Sequence, residues 1–334
     1  MKKVLVFAPD SIHSYKFIQM IKDDVDVLLV TDVCERDYGV ETIHLKRGLN
    51  MIFDIKKIID KFDPDFIHIH TINRVAPFVF FWGQSHAKMI LSAWGSSVLV
   101  IPKISWFHKK LAQYCLNKSD VVTVDANIEK YAIHDLVGKD KETRNINFGM
   151  IPYITDIKFE DKENIIYSPR SHADIYNIGK VIKSFAKFFK AGHEDWRLVL
   201  SGVEHPINTP RYKKLVKELE IENAVTFAGF LSAEQNAEYQ AKSKIVVSIP
   251  FSDGKSHCLM EALYANNVCF VSDLPSNYEM VSDKVNGFIV DDHELINFAT
   301  YELIDNDLMK AYNAKKLPEF SYEENAKKFI KLYQ

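Results

Sequence analysis

Short apolar, largely β-branched runs alternate with segments of helical period along the first half of the chain. Val4–Ala8, Val25–Val30, Glu41–Leu45, Phe66–His70, Met89–Trp94 and Val121–Val124 read as strands. Between them, Tyr15–Lys22, Met51–Lys61, Ile104–Asn117 and Ile128–Leu136 place apolar residues at helical spacing. Strands that are apolar nearly throughout and separated by helices predict a parallel sheet covered on both faces. The same rhythm then restarts. Ile165–Ser168, Leu198–Ser201, Val225–Ala228, Ile245–Ile249, Cys269–Ser272 and Phe288–Val290 are predicted strands. Ile178–Lys190, Tyr212–Leu219, Ala233–Ala241, His257–Tyr264 and Glu294–Tyr301 are predicted helices. The tail, Phe320–Gln334, is a further amphipathic helix with Tyr322, Ala326, Phe329 and Leu332 near one face.

Two successive sets predict two Rossmann-like, doubly wound α/β domains facing across a cleft. Their expected spans are 1–155 and 156–318, with 319–334 returning to the first; the join falls in 151–163, where Pro152 leads into an acidic stretch. A length of 334 residues suits two domains of roughly 150 residues each. In such sheets ligands collect beyond the carboxyl ends of the strands. The informative loops are therefore Pro9–Ser14, Thr71–Arg74, Gly95–Ser97, Phe148–Met150, Arg170–Asn177, Gly202–His205, Gly229–Ser232 and Phe251–Ser256.

Composition narrows the class. Hydrophobic residues make up 47% and charged residues 26%, the balance of a chain with a real core. A formal net charge of −3 gives no support for a nucleic-acid partner. The opening MKKVLVFAPD is too short in apolar residues for a secretory signal and reads as a buried first strand. No run approaches the ~18 apolar residues of a membrane span; the longest, Val75–Trp82, is too short. A cytoplasmic location is expected, at most peripheral to the inner face of the cell membrane. Cys34, Cys115, Cys258 and Cys269 have no metal-ligand spacing and read as reduced thiols. His68 and His70 share one face of a strand, which makes at least one of them a packed core histidine.

The densest chemistry lies in IPFSDGKSHCLMEALYANNVCFVSD, Ile249 to Asp273. A strand ends at Pro250, a loop of small residues follows, and a helix starts near Ser256, a good N-cap residue. The first N–H groups of such a helix have no partners within it and attract anions, phosphate above all. Glu261 lies on the face of His257 and Cys258, one turn deeper. A turn of about 5.4 Å is close to the distance from a diphosphate to its ribose. A carboxylate there can accept hydrogen bonds from ribose hydroxyls, with Asp253 toward the other end of the ligand. The plain alternative is that Asp253 and Glu261 only complement the helix dipole.

This stretch resembles the donor-site signature of retaining glycosyltransferases of family 4, which have the GT-B fold. Their pattern, Glu-Gly and then Glu-Ala with seven residues between the two acids, is matched by Asp253-Gly254 and Glu261-Ala262, with Asp in place of the first Glu. Downstream, SDLPSNYEMVSDKVNGFIV resembles the family's continuation, with Glu279 and the Asn286-Gly287 pair. Upstream, VTFAGFLSAEQNAEYQAKSKIVVSIPFSDG resembles its run through the strand bordering the nucleotide base. PDFIHIH, SAWGSS and NINFGMIP are similar to its N-terminal landmarks. Arg170, in YSPRSHADIYN, stands where the family meets the donor diphosphate, but Ile175 and Tyr176 replace the family's lysine.

The resemblance implies a hexosyl- or related glycosyltransferase, retaining and metal-free, with no cofactor beyond its nucleotide-sugar substrate. It implies chemistry at Arg170, Asp253 and Glu261, with Lys255 sharing the leaving-group charge. Donor contacts are implied at Gly229, Phe230, Gly254, Lys255, Ser256, His257, Cys258 and Leu259. The N-terminal half departs further: PDSIHSY lacks the family's Gly-Gly, and Trp94-Gly95 stands for its His-Gly. Ser11, His13, Trp94, Gly95 and Ser96 are the candidates there for lining the cleft. A glycan or lipid-linked acceptor and a role in bacterial surface polysaccharide or glycoconjugate synthesis follow from the family's usual setting.

Asp24-x-Asp26 and Asp63-x-Asp65 have a metal-binding spacing, but both sit at amino ends of predicted strands and read as solvated strand starts. Val98–Lys118 combines Trp106, Phe107 and several lysines; it reads either as a helix packed on the sheet or as a peripheral membrane contact. A nucleotide-sugar epimerase of the same fold and a two-domain solute-binding protein remain as alternative functions.

Overall fold

A computed structural model describes residues 1–33, 35–46, 48, 50–150 and 158–334, and the structural statements below concern these. The chain divides into two compact units, Met1–Gly149 with Glu319–Gln334, and Met150–Pro318. The first part of the expected join, 151–157, lies outside the described residues.

The N-terminal unit is built on a parallel sheet of seven strands. They are β1 (Lys3–Phe7), β2 (Asp26–Thr31), β3 (Glu41–His44), β4 (Phe66–His70), β5 (Lys88–Ser92), β6 (Val121–Val124) and β7 (Thr143–Asn145). The sheet order is β3-β2-β1-β4-β5-β6-β7. Six helices connect them: α1 (Ile12–Ile21), α2 (Met51–Phe62), α3 (Ala76–Gly83), α4 (Ile101–Ile104), α5 (Trp106–Lys118) and α6 (Asn127–Val137). The apolar run at 75–82 is α3, which buries Val79 and Phe80 in the core. The helix expected over 104–117 is α5, which starts two residues later because Ser105 is extended and caps it; a π-helical turn at Ser96–Val100 and the short α4 precede it.

The C-terminal unit repeats the plan with β8 (Glu163–Pro169), β9 (Arg197–Ser201), β10 (Val225–Gly229), β11 (Ser243–Ser248), β12 (Val268–Ser272) and β13 (Gly287–Val290). Their order, β10-β9-β8-β11-β12-β13, is that of the doubly wound dinucleotide-binding fold. Its helices are α7 (Ile178–Lys190), α8 (Asn208–Glu218), α9 (Ala233–Lys242), α10 (His257–Tyr264) and α11 (Asn306–Lys316). Ser232 and Gln235 form a reciprocal capping box at the start of α9. Lys162, nearly fully buried, donates from Nζ to the carbonyl oxygens of Ala241 at 2.8 Å and Ser243 at 3.2 Å, where the end of α9 meets β11. A lysine there complements the negative end of the helix dipole. The helix expected over 294–301 is instead a short 3-10 helix at Phe298–Leu303, and α11 follows it. Asp305 caps α11 through its side chain.

In the tail, α12 (Tyr322–Ile330) lies against α1. Phe329, Leu332 and Tyr333 are buried with Phe17 and Ile18 in one apolar layer over the sheet of the N-terminal unit. Burying a large apolar side chain stabilises by about 1.5–3 kcal/mol, so this short segment is firmly anchored.

Candidate active site

In each sheet the strand order reverses between two central strands, and the crevice beyond their carboxyl ends is where such folds bind ligands. In the C-terminal unit these strands are β8 and β11. Arg170 follows the first directly, and the loop leading to α10 follows the second.

Arg170 joins the two strand ends. Its Nε donates to Ser248 Oγ at 2.8 Å, and its Nη2 donates to Asp253 Oδ2 at 2.5 Å and to Ser256 Oγ at 2.6 Å. A guanidinium has five N–H donors, and the two on Nη1 have no partner among the described residues. Its Cζ lies 5.1 Å from the centroid of the Tyr176 ring, within cation–π range. Burial opposes the charge, and the Cys258, Asp253 and Tyr176 groups around it more than reverse that effect, so its pKa is raised and the cation is secure. The loop needs Gly202 (φ +115°), because a Cβ there would come within 2.6 Å of the Arg170 carbonyl carbon.

Ser256 holds the N-cap position of α10, but its hydroxyl makes no capping bond; it turns to Arg170 and to Cys258 Sγ, 3.2 Å away. The sequence placed the helix start correctly and misread the job of this side chain. The Lys255 side chain is buried, with Nζ 3.5 Å from Glu279 Oε2. Glu279 thus pairs with the ammonium that is expected to share the leaving-group charge. Asp253 turns its carboxylate to Arg170, while its carbonyl accepts from Ser276 Oγ at 3.1 Å. Glu261 and His257 meet across one helical turn, with Oε1 and Nδ1 3.5 Å apart, both half-buried.

Gly254 lies in the same loop, and Cys258 and Leu259 are buried on α10. Gly229 has φ +67° at the end of β10, and Phe230 beyond it is 78% exposed. The Asn286-Gly287 pair is structural. Asn286 is buried, accepting from Ser282 N–H and donating to the Met280 carbonyl. A Cβ at Gly287 would lie 2.1 Å from the Cys269 carbonyl oxygen, so only glycine permits this approach of β13 to β12. Ser248 and Tyr176 were missed as site residues. The second was legible as the aromatic standing where a lysine was expected.

In the N-terminal unit, Ser11 is the N-cap of α1; its Oγ accepts from Ser14 N–H at 3.1 Å, and its own N–H donates to the Tyr38 hydroxyl. The Tyr38 hydroxyl donates in turn to Asp10. His13 packs on Trp94 and Phe148, each with ring centroids 5.6 Å away. His70 and His68 are both fully buried. His68 bridges the Tyr333 hydroxyl and Ser92 Oγ, and Ser92 continues to Thr123. His70 lies among Phe17, Trp94 and Phe148, and neither of its ring nitrogens has a hydrogen-bond partner among the described residues. Desolvation, with His13 nearby, pushes its pKa down to about 3; burial, with His70, holds His68 well below the usual range. Gly95 is half-buried and Ser96 exposed at the start of the π-helical turn.

None of these five candidates lines the cavity of about 450 Å³ at the ends of β1, β2 and β4, which Pro9, Asp32, Asn73 and Arg74 help to form. Asp26 opens β2 and Asp65 immediately precedes β4, both at amino ends of strands. Asp65 accepts from Lys3 N–H and Lys2 Nζ.

Residues 153–316 match the family model "Glycosyl transferases group 1", and residues 3–126 match "Glycosyl transferase 4-like". No curated protein matches significantly. Among solved structures, Anabaena HepE in complex with UDP superposes with a TM-score of 0.82 at 13% identity, over 99% of this chain and 99% of that one. Sucrose-phosphate synthase from Thermosynechococcus elongatus gives 0.79 at 15% identity, over 100% and 98%. The lipopolysaccharide outer core galactosyltransferase WaaB gives 0.74 at 14%, over 100% of both chains. Fold and family models together define the protein as a glycosyltransferase of the GT-B fold. Its C-terminal unit carries the group 1 match almost end to end.

Proposed function

We propose that this protein is a retaining glycosyltransferase of family 4. It moves a hexosyl or related sugar from a nucleotide-diphosphate sugar to a glycan or lipid-linked acceptor, without metal. The setting is cytoplasmic synthesis of bacterial surface polysaccharide or glycoconjugate. The observation that carries the reading is Arg170, held by Ser248, Asp253 and Ser256 at the reversal point of the sheet with the two N–H groups on Nη1 to spare. Each of these two N–H groups can donate a charge-assisted hydrogen bond to a phosphate oxygen.

In this reading the bond from the anomeric carbon to the diphosphate breaks with its electron pair on phosphate oxygen. Arg170 and the first N–H groups of α10 stabilise that charge, a preorganised arrangement that gains strength as the bond lengthens. The acceptor hydroxyl bonds to the anomeric carbon on the same face and yields its proton to the departing diphosphate. Glu261 accepts hydrogen bonds from the ribose, and Gly229 and Phe230 border the base. Asp253 fixes Arg170 from the loop expected to border the sugar.

Anabaena HepE was solved with UDP and with UDP-glucose, which makes UDP-sugars the first donors to test. Incubation with UDP-, GDP- and ADP-sugars should release nucleotide diphosphate from a UDP-sugar. Recovery of an epimerised sugar without release would replace this reading with an epimerase. Binding of free sugar with no turnover would replace it with a solute-binding protein.

A further inference from the structure

From Phe66 to Ser119 the chain contains no aspartate or glutamate, yet it carries Arg74 and five lysines, in a protein whose formal net charge is −3. The basic excess comes to a point at the corner between α4 and α5. Ser105, with φ −163°, ends α4 and caps α5, so the chain turns sharply there. The side chains around that turn do not pack on the sheet. Trp106 is 73% exposed, Phe107 64% and Ile104 60%, and Val100 is also exposed. Further along, α5 is anchored through Ala112, Cys115 and Leu116, all fully buried. The corner is thus an exposed projection on an anchored helix, where the sequence also allowed a helix packed along its whole length. Lys103, Lys109 and Lys110 are exposed beside the apolar group and have no ion-pair partner among the described residues.

We propose that this corner docks on the surface of an anionic lipid bilayer. Trp106, Phe107 and Ile104 enter the headgroup boundary, and the three lysines contact lipid phosphates. Tryptophan favours that boundary, and lysine stems can lie along it with their charge in water. A protein partner fits less well, because the cores of protein interfaces are depleted in lysine. No helix among the described residues is long and apolar enough to cross a membrane, so contact of this kind is peripheral. The inference stands on exposure and charge and does not depend on the donor-site reading.

Flotation of the full chain with vesicles tests it. Binding is expected to vesicles of phosphatidylcholine with phosphatidylglycerol, and not to phosphatidylcholine alone. The double variant Lys109→Glu/Lys110→Glu should lower partition by about tenfold or more, since each basic residue near an anionic surface contributes about 1 kcal/mol. Trp106→Ser/Phe107→Ser should lower it by at least about as much. Both pairs of positions are exposed, so unchanged thermal unfolding is expected and checks the fold. Trp106 emission should shift to the blue on binding, and Trp106→Phe should remove most of that shift. Failure of the parent to float with either vesicle overturns the proposal. So does equal partition of parent and variants. A parent that ignores vesicles but dimerises through these side chains identifies a second copy as the occupant.

Discussion

The two units end their sheets in opposite ways. Beyond β8 and β11 the C-terminal unit holds a charged network in which Arg170 donates three hydrogen bonds and is matched by Asp253. At the corresponding end of the N-terminal sheet lie rings: His13, His70, Trp94, Phe17 and Phe148 in edge and tilted contacts. Burial opposes charge at both; at the first the surrounding groups, Asp253 among them, more than offset it, and at the second nothing does, since His70 has no hydrogen-bond partner among the described residues. One architecture therefore holds a fixed cation in one unit and a neutral aromatic wall in the other, and the difference lies in a few residues after each strand.

Removing the cation should break the comparison most severely. Arg170→Ala is expected to lower turnover by roughly a hundredfold to a thousandfold, as loss of one preorganised donor does elsewhere. Donor affinity should fall less. Arg170→Lys should recover little, because an ammonium cannot keep the fork to Ser248, Asp253 and Ser256 together. Since Asp253 grips the same guanidinium, Asp253→Asn should disturb binding of free nucleotide diphosphate as well as the sugar donor. Stopped assays of initial rate, with thermal unfolding as the check on folding, decide the matter. Unchanged turnover in Arg170→Ala would falsify the assignment.

Glu261→Gln addresses the ribose end of the same site. A hydrogen bond to a charged group is worth about 1.5–3 kcal/mol, so affinity should drop roughly tenfold to a hundredfold. The loss should be equal for nucleotide diphosphate and nucleotide sugar in calorimetric titration. If both bind as they do to the parent, Glu261 serves only its own helix, where it pairs with His257.

The neutral wall makes a prediction about pH. His70 has a folded pKa of about 3 against an ordinary value of 6.5. The unfolded chain therefore binds this proton first, and stability is full above about pH 6.5 and lost as pH falls toward the folded value. Between pH 6.5 and about pH 5 the loss from this residue is about 2 kcal/mol. Urea unfolding of His70→Phe should show a correspondingly shallower acid slope than the parent. Equal slopes would mean that the histidine is hydrated in the folded protein.

Much of this contrast could be read from the chain. Strand periods, the loop ends and the Asp253–Glu261 spacing located the charged site, because they depend on local pattern. What escaped depends on partners distant in sequence. Ser248 and Ser256 look like ordinary strand-end and capping residues until Arg170, some eighty positions away, draws both hydroxyls. Lys255 looks like a free phosphate-binding cation until Glu279 is brought beside it. Ser11 stands out as a loop residue, and only the structure shows its hydroxyl capping α1. The corner at Ser105 was hidden for another reason: a helical apolar pattern does not show that one extended residue turns the face away from the sheet.

The smallest expected effect is none, and it concerns metal. The acidic pairs with metal-binding spacing lie at amino ends of strands, where Asp65 is engaged by Lys2 and Lys3. The leaving diphosphate is assigned instead to Arg170 and the start of α10, groups that already hold fixed positive charge and need no ion to supply it. Sugar transfer should therefore continue at the parent rate in excess EDTA, and added Mg²⁺ or Mn²⁺ should not raise it. The comparison of units sharpens the test. If activity vanishes with EDTA and returns with metal, a carboxylate must be presenting an ion to the diphosphate, and Asp253 is the acid that meets the Arg170 fork. In that event Asp253→Asn would abolish metal dependence together with activity, whereas in the metal-free mechanism it only loosens Arg170 and leaves EDTA without effect.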